Sequence, residues 1–200
     1  MKNAIKYSKK GIVMVTLFTT LLSFANENSF FTIKNDAKKT ALTLKSVKEG
    51  NQLSIIDNNG IILYREIIEK NGNYNKEFNL TSLPDGAYIF ELDKDLEINT
   101  IPFNIKSNIV LFEKEKEKTI FKPLIRVKDD IVYVSKLSFN EQPLKIEIYF
   151  TGSNGSELMF TETIENTKVI ERIFKLDGLK FGSYKLVFHG EGREFIKYVN

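Results

Sequence analysis

The sequence predicts an all-β protein made of two tandem antiparallel β-sandwiches behind an N-terminal signal peptide. Three observations support this fold class: a basic and then apolar N-terminal segment, an internal repeat, and apolar residues that alternate along many short segments of the 200-residue chain. Alternation with a period of two is typical of strands that bury one face. The 42% hydrophobic and 28% charged residues fit an ordinary globular protein and exclude a disordered or collagen-like chain.

Residues 1–25 have the pattern of a signal peptide. Four lysines lie in the first ten residues, an apolar run extends from Gly11 to Ala25, and polar Asn26 follows. Ser23 and Ala25 place small residues where signal peptidase recognises its substrate. A membrane-spanning helix needs about 20 apolar residues, which is longer than this run. We therefore expect cleavage after Ala25 and export through the inner membrane, to the periplasm, the cell surface or the medium.

The charge of the mature chain excludes one large class of partner. All four leader charges are lysines, so 25 basic residues remain against 26 acidic ones, and the net charge falls from +3 to near −1. No remaining stretch interleaves basic and aromatic residues on one face, so we do not expect nucleic-acid binding. The chain has no Cys and one His, which excludes disulfides, thiolate nucleophiles and multi-His zinc sites.

An internal repeat divides the rest of the chain. Residues such as Phe78 and Leu80 recur as Phe174 and Leu176 at an offset of 96. A unit of this length is too long for a solenoid repeat and fits a small domain. The predicted organisation is a signal peptide at 1–25, sandwich repeats at 26–106 and 119–200, and a charged linker or edge strand at 107–118.

Seven short strands are predicted in each copy from the alternation of apolar residues. Turn residues that tolerate positive φ separate several of them, including Asn58-Asn59-Gly60 and Asn154-Gly155. The predicted strands lie near 30–34, 40–46, 52–57, 61–69, 74–80, 86–93 and 96–105, and near 120–127, 131–138, 144–150, 157–165, 168–176, 183–189 and 193–199.

The spacing Leu-x-x-Gly-x-Tyr is the most specific local element, and it occurs once in each copy. Immunoglobulin-like sandwiches place a tyrosine corner before the corresponding strand, with the ring inward and the hydroxyl bonded to upstream backbone. The motif therefore predicts two tandem immunoglobulin-like sandwiches, and we interpret it as structural rather than as a ligand platform. With the two turn glycines, the predicted repeat motif comprises Gly60, Leu83, Gly86, Tyr88, Gly155, Leu179, Gly182 and Tyr184.

Two segments of the first copy carry a resemblance to a known family. The runs from Ile55 to Tyr64 and from Phe78 to Ile89 resemble the β-sandwich C-terminal sorting domains of the type IX secretion system in Bacteroidetes, and flavobacterial exported proteins of unknown function look similar. The second copy matches more loosely, through Gly155, Leu179, Gly182 and Tyr184. The expected partner is an unidentified protein or cell-surface component, and the resemblance adds secretion machinery as a candidate. We expect no stable membrane insertion after the leader is cleaved. A sorting domain usually follows a large cargo, whereas here both copies carry the pattern.

The sequence offers little that points to catalysis. A nucleophile needs a base, and His189, at the end of a predicted strand, is the only imidazole. The pairs Asp129-Asp130 and Asp93 with Asp95 lie between strands, where turn acids are common. We therefore expect no catalytic residues and no enzyme activity.

We also expect no metal and no cofactor. Asp57-Asn58-Asn59-Gly60 has the oxygen ligands that calcium prefers, yet it lacks the acidic spacing of a calcium loop and is explained as a hairpin turn.

The predicted function is a non-catalytic, exported structural, sorting or protein-interaction module. The alternative is an extracellular polysaccharide- or ligand-binding module, which would expose aromatic residues on a sheet face, with Tyr64, Tyr74 and Tyr149 as candidates. The segment 104–112 has no equivalent in the second copy. It is predicted either to link the sandwiches or to add a strand to a partner's sheet.

Overall fold

The computed structural model of the chain describes residues 30–36, 39–153 and 155–200. The predicted signal peptide and Asn154 lie outside these residues. Residues from Phe31 to Asn200 form one compact unit. The elements of the described residues are strands and three single turns of 3₁₀ helix, with no α-helix among them.

Nine strands make up what we call the first half, from Phe31 to Phe121. They form a three-stranded sheet in the order β1-β2-β5 and a six-stranded sheet in the order β4-β3-β6-β7-β8, in which β9 also pairs with β7. Their bounds are β1 Phe31–Asp36, β2 Lys39–Val47, β3 Gln52–Asp57, β4 Ile62–Ile67, β5 Gly72–Phe78, β6 Gly86–Asp93, β7 Glu97–Lys106, β8 Ile109–Phe112 and β9 Lys118–Phe121.

Seven strands make up the second half, from Leu124 to Asn200. They form a three-stranded sheet in the order β10-β11-β14 and a four-stranded sheet in the order β13-β12-β15-β16. Their bounds are β10 Leu124–Lys128, β11 Ile131–Leu137, β12 Leu144–Gly152, β13 Gly155–Ile164, β14 Val169–Lys175, β15 Ser183–Gly190 and β16 Arg193–Val199.

The two halves repeat one strand order, because β10 to β16 take the places of β1 to β7 in both sheets. The paired strands are antiparallel throughout both halves. The predicted all-β class is confirmed, and the sheets are arranged as sandwiches. The finer assignment to the immunoglobulin-like type stays a prediction.

Alternating side chains of the facing sheets fill each core. In the first half, Leu42, Leu53 and Phe90 are at most 1% exposed. The Phe90 ring lies 5.2 Å from that of Phe78 and 5.1 Å from that of Phe103, so aromatic packing joins the two sheets. In the second half, one cluster joins Val134, Leu144 and Phe188 from both sheets. Each such side chain contributes about 1.5–3 kcal/mol by burial.

The connection between the halves differs in detail from the predicted strands. The strand expected near 120–127 is two strands, β9 and β10, separated by Lys122 and Pro123. Proline has no backbone N–H to donate to a ladder, so it interrupts pairing at this point. β9 pairs with β7 in the six-stranded sheet of the first half. The predicted domain boundary at residue 119 therefore falls inside β9. Within 107–118, β8 forms an edge strand on β7.

Candidate functional site

The tyrosines of the repeat motif are anchored in both halves. The Tyr88 hydroxyl donates to the Pro84 carbonyl oxygen at 2.8 Å, and the Tyr184 hydroxyl donates to the Asp177 carbonyl oxygen at 2.6 Å. Both rings are buried, at 6% and 8% exposure. Leu179 packs against the second core. These contacts hold the entry to β6 and to β15 and leave neither ring available for a ligand.

Glycines of the repeat motif meet two different demands. Gly60 and Gly155 have φ of +81° and +102°, a region that favours glycine in tight turns. The Asp57 carboxylate accepts hydrogen bonds from the backbone N–H groups of Asn59 and Ile61, at 2.9 and 2.8 Å. This carboxylate, the first ligand considered for calcium, therefore organises the hairpin. Gly182, in contrast, is extended and lies against the backbone of Thr151.

A carboxylate cluster joins the two sheets of the first half. The Glu66 carboxylate on β4 accepts hydrogen bonds from the Tyr64 hydroxyl, the Lys76 ammonium and, at 2.8 Å, the Tyr74 hydroxyl. Lys76 and, to a lesser degree, the two phenols lower the pKa of Glu66. Burial and the Glu66 carboxylate raise the pKa of Tyr74. The cluster links β4 to β5, which belong to different sheets.

The second half contains the equivalent contact at an offset of 96. Glu162 on β13 accepts a forked pair of hydrogen bonds from Arg172 on β14, at 2.9 Å from Nε and 2.6 Å from Nη2. Beside it, the rings of Phe160 and Phe174 lie 5.3 Å apart, as do those of Tyr64 and Phe78. This contact between the sheets was not predicted from the sequence, although Glu66 and Lys76 recur in the repeat as Glu162 and Arg172.

His189 lies on the outer face of the second half's larger sheet. Its Nε2 lies 3.2 Å from the Glu147 carboxylate, and its Nδ1 lies 3.6 Å from that of Glu194. Lys145, with further hydrogen bonds from His189 and Tyr149, lowers the pKa of Glu147 to about 2. The carboxylate thus stays ionised at neutral pH. The prediction that the protein is not an enzyme stays a prediction.

Three tyrosines were candidates for an exposed binding platform. Tyr64, Tyr74 and Tyr149 are half-buried, and each hydroxyl donates to a carboxylate. Tyr64 and Tyr149 donate to Glu66 and Glu147 on their own strands, and Tyr74 donates to Glu66 across the two sheets. The Lys185 ammonium also lies 4.8 Å from the centre of the Tyr149 ring. The hydroxyls of these three tyrosines are therefore already hydrogen-bonded within the protein.

The remaining acidic candidates are scattered. Asp93 pairs with Lys122, Asp95 lies 3.6 Å from Lys48, and Asp130 lies 3.9 Å from Lys175. Among the described residues, no group of three His, Cys, Asp or Glu is placed to hold a metal ion. No helix in the described part of the chain is long and apolar enough to cross a membrane.

The two halves meet along a contact that contains a groove. Arg193 of β16 pairs with Glu91, which lies on the outer face of β6 and is 8% exposed. The Phe121 ring packs edge-on against that of Phe139 at 5.3 Å. Nearby, a mainly apolar groove of about 440 Å³ is lined by Leu96, Glu97, Phe121, Lys122, Leu124, Ser135, Lys136, Leu137, Val169 and Glu171.

Residues 27–110 match the family described as Secretion system C-terminal sorting domain. The match includes β1 to β7 of the first half and ends within β8, and it confirms the resemblance seen in the sequence. It implies an exported protein and contact with secretion machinery in general. No curated protein matches the chain.

The chain is also similar to three solved structures at low identity. It covers 28% of the "Biofilm associated protein - BSP domain" chain, with 84% of this chain covered, 13% identity and a TM-score of 0.26. The human OSCAR ligand-binding domain shares 6% identity at a TM-score of 0.25, with 85% of this chain and 96% of that chain covered. A chain from "Structural basis of neurohormone perception by the receptor tyrosine kinase Torso" shares 8% identity at a TM-score of 0.23, with 84% of this chain and 71% of that chain covered.

Proposed function

We propose that the protein is a non-catalytic exported module whose first half is recognised by a type IX secretion machinery. The second half is a structural or interaction domain carried with it. The observation that supports this most directly is the sorting-domain match over residues 27–110. The anchored corner of Tyr88 and the carboxylate cluster of Glu66 support a rigid sandwich rather than a reactive site.

The first half, which matches the sorting-domain family, has an edge strand with exposed apolar side chains that a partner could recognise. β4 is an edge strand of its sheet, and Leu63 and Ile67 on it are 44% and 53% exposed. Extended segments of partner proteins commonly bind by adding a strand to such an edge. The second half has the equivalent edge on β13, where Met159 stands in the place of Leu63 and is 57% exposed.

The test is to express the full chain in a bacterium with a type IX system and in an isogenic strain without it. Fractionation and intact-mass analysis then locate the mature protein. We expect it outside the cell only in the strain with the system. Accumulation in the periplasm of both strains would overturn the proposal.

A matched pair of variants tests which half is recognised. Leu63→Lys and Met159→Lys place the same charge at equivalent exposed positions of the two edges. We expect Leu63→Lys to reduce release several-fold and Met159→Lys to leave it near wild type. The reverse pattern would assign recognition to the second half.

A further inference from the structure

The groove between the halves has a mainly apolar lining. Its apolar side chains come from the turn between β6 and β7 and from β9, β10, β11 and β14, and they are Leu96, Phe121, Leu124, Leu137 and Val169. Its volume of about 440 Å³ lies within the range of about 300–1,000 Å³ that is typical of small-molecule sites. Such sites also occur preferentially where two domains meet. The groove therefore has the size and the position of a site for a small ligand.

The internal repeat shows that the fold does not require this apolar lining. In place of the groove residues on β10, β11 and β14, the first half has the polar side chains of Thr32, Lys45 and Asn73. In place of Leu96, which is 55% exposed at the tip of its turn, the second half has Gly192. Contiguous exposed apolar side chains with polar groups at the rim are typical of binding grooves.

Two polar groups of the groove face each other across neighbouring strands. Ser135 on β11 lies directly opposite Glu171 on β14, and both line the groove. At the equivalent pair of the first half, the Thr43 hydroxyl donates to the Asn75 side-chain oxygen at 2.6 Å. Within the part of the chain that the structure describes, neither the Ser135 hydroxyl nor the Glu171 carboxylate has a hydrogen-bond or ion-pair partner. Both groups are therefore available to a ligand.

Glu171 leaves the groove with a net negative charge. The other charged side chains of the lining form ion pairs, which are Glu97 with Lys94, Lys122 with Asp93 and Lys136 with Glu191. On the same sheet face, Arg126 lies two strands and one row away from Glu171, and Lys128 and Lys175 lie two rows away. These separations are about 12 Å or more, which exceeds the screening length of about 8 Å at physiological ionic strength. The groove therefore favours a cationic ligand.

We propose that the groove binds a small organic cation, an apolar chain that ends in an ammonium group, which is a property beyond the proposed export function and independent of it. The apolar chain packs against Leu96, Leu137 and Val169. The ammonium donates hydrogen bonds to the Glu171 carboxylate and the Ser135 hydroxyl. Side chains paired directly across antiparallel strands lie about 5 Å apart at Cβ, so one ammonium reaches both oxygens. The bond to the carboxylate is charge-assisted and selects the cation over a neutral or anionic head group.

The test is a titration of the mature full chain with decylammonium, followed by NMR of the side-chain methyl groups. Decanoate is the second probe, because it has the same chain length and the opposite charge. Both probes are kept below the concentrations at which they form micelles. The comparison of the two probes uses the wild-type protein, so it does not depend on the folding of any variant.

Two matched pairs of variants locate the site. Glu171→Gln removes the carboxylate of the groove, and Glu157→Gln removes an exposed carboxylate on β13, outside the groove. Val169→Asn introduces into the groove the residue found at the equivalent position of the first half. Ile109→Asn is its control, because Val169 and Ile109 are 54% and 60% exposed and Ile109 lies outside the groove.

We expect decylammonium to shift the methyl signals of Leu96, Leu137 and Val169 to saturation, and decanoate to bind at least tenfold more weakly. Glu171→Gln should weaken decylammonium binding at least fivefold, and Val169→Asn should weaken it several-fold, whereas the two controls should stay within twofold of wild type. Methyl signals of the groove that do not shift with decylammonium would overturn the proposal. Equal affinity for the two probes, or equal effects of Glu171→Gln and Glu157→Gln, would overturn it as well.

Discussion

The two halves share a strand order but stabilise it with different groups. In the first half, Glu66 receives hydrogen bonds from a lysine and two phenols, whereas Glu162 in the second half is held by the fork of one arginine. Leu44 of the first half is 0% exposed, and strand pairing places it opposite Tyr74. The equivalent position of the second half is Lys136, opposite Ile170. One core position is therefore a leucine in the first half and a lysine in the second.

The difference shows which features the fold demands and which it tolerates. Both halves keep a buried tyrosine bonded to upstream backbone and a carboxylate–cation contact between the sheets. They differ in how closely other atoms approach the corner glycine, which is Gly86 in the first half and Gly182 in the second. They also differ at one core position, where Leu44 of the first half is replaced by Lys136. These differences can be tested by exchanging single residues between equivalent positions.

The largest expected effect is at the corner glycines. A Cβ on Gly182 would lie within contact distance of the Thr151 carbonyl oxygen and 2.6 Å from the Phe150 ring, whereas a Cβ on Gly86 would meet nothing closer than 3.5 Å. We expect Gly182→Ala to lower the free energy of unfolding by about 3 kcal/mol. Gly86→Ala should cost less than about 1 kcal/mol. Urea unfolding followed by circular dichroism measures both, and equal losses would show that the corners are equivalent.

A smaller effect is expected at the buried lysine. The Lys136 side chain is 2% exposed and donates to Glu191 at 2.8 Å. Glu191→Gln leaves the ammonium without its counter-charge and should cost about 2 kcal/mol. The double variant Lys136→Leu with Glu191→Gln introduces the leucine of the first half and should recover most of that loss. Chemical denaturation of the three proteins checks this, and a neutral Glu191→Gln variant would contradict it.

The smallest effect concerns acid stability. Lys76 and Arg172 lower the pKa of Glu66 and Glu162, respectively, in the folded state. A lowered folded-state pKa adds stability above the unfolded pKa, near 4.5, and this stability disappears as the pH falls through the folded value. Both pairs are about one-third exposed, so each contributes less than about 1 kcal/mol.

Glu66→Gln and Glu162→Gln should each flatten the loss of stability below pH 4.5 by a similar amount. Thermal unfolding between pH 3 and pH 7 measures this slope. A variant that keeps the full wild-type slope would show that its carboxylate pairs no more strongly in the folded state than in the unfolded state.

The strands could be predicted because period-two alternation reports burial directly. Thr40, Leu42 and Leu44 alternate with Ala41 and Thr43, and this is the burial pattern found in β2. Alternation does not report which of two faces meets the core when both carry apolar residues. Tyr133 and Ile173 fit core alternation in the sequence, but the pairing of β11 with β14 places both outside.

Contacts between sheets were harder to predict than the strands. Glu66 and Lys76 are ten residues apart on strands of different sheets, and alternation alone does not say that these strands face each other. Their recurrence as Glu162 and Arg172 was the available signal, because a charged pair preserved between copies suggests contact. The groove between the halves had no such signal, since it depends on how β9 returns to β7.

The short connection between β9 and β10 has a mechanical consequence. Only Lys122 and Pro123 separate β9, in the six-stranded sheet of the first half, from β10, the first strand of the second half. Two residues span about 7 Å when fully extended. The connection is therefore too short to let the two halves move apart while β9 stays paired. A pulling force on the second half is transmitted directly to the hydrogen bonds between β9 and β7. Passage through a narrow pore would therefore require either the whole compact unit at once or the peeling of β9 first.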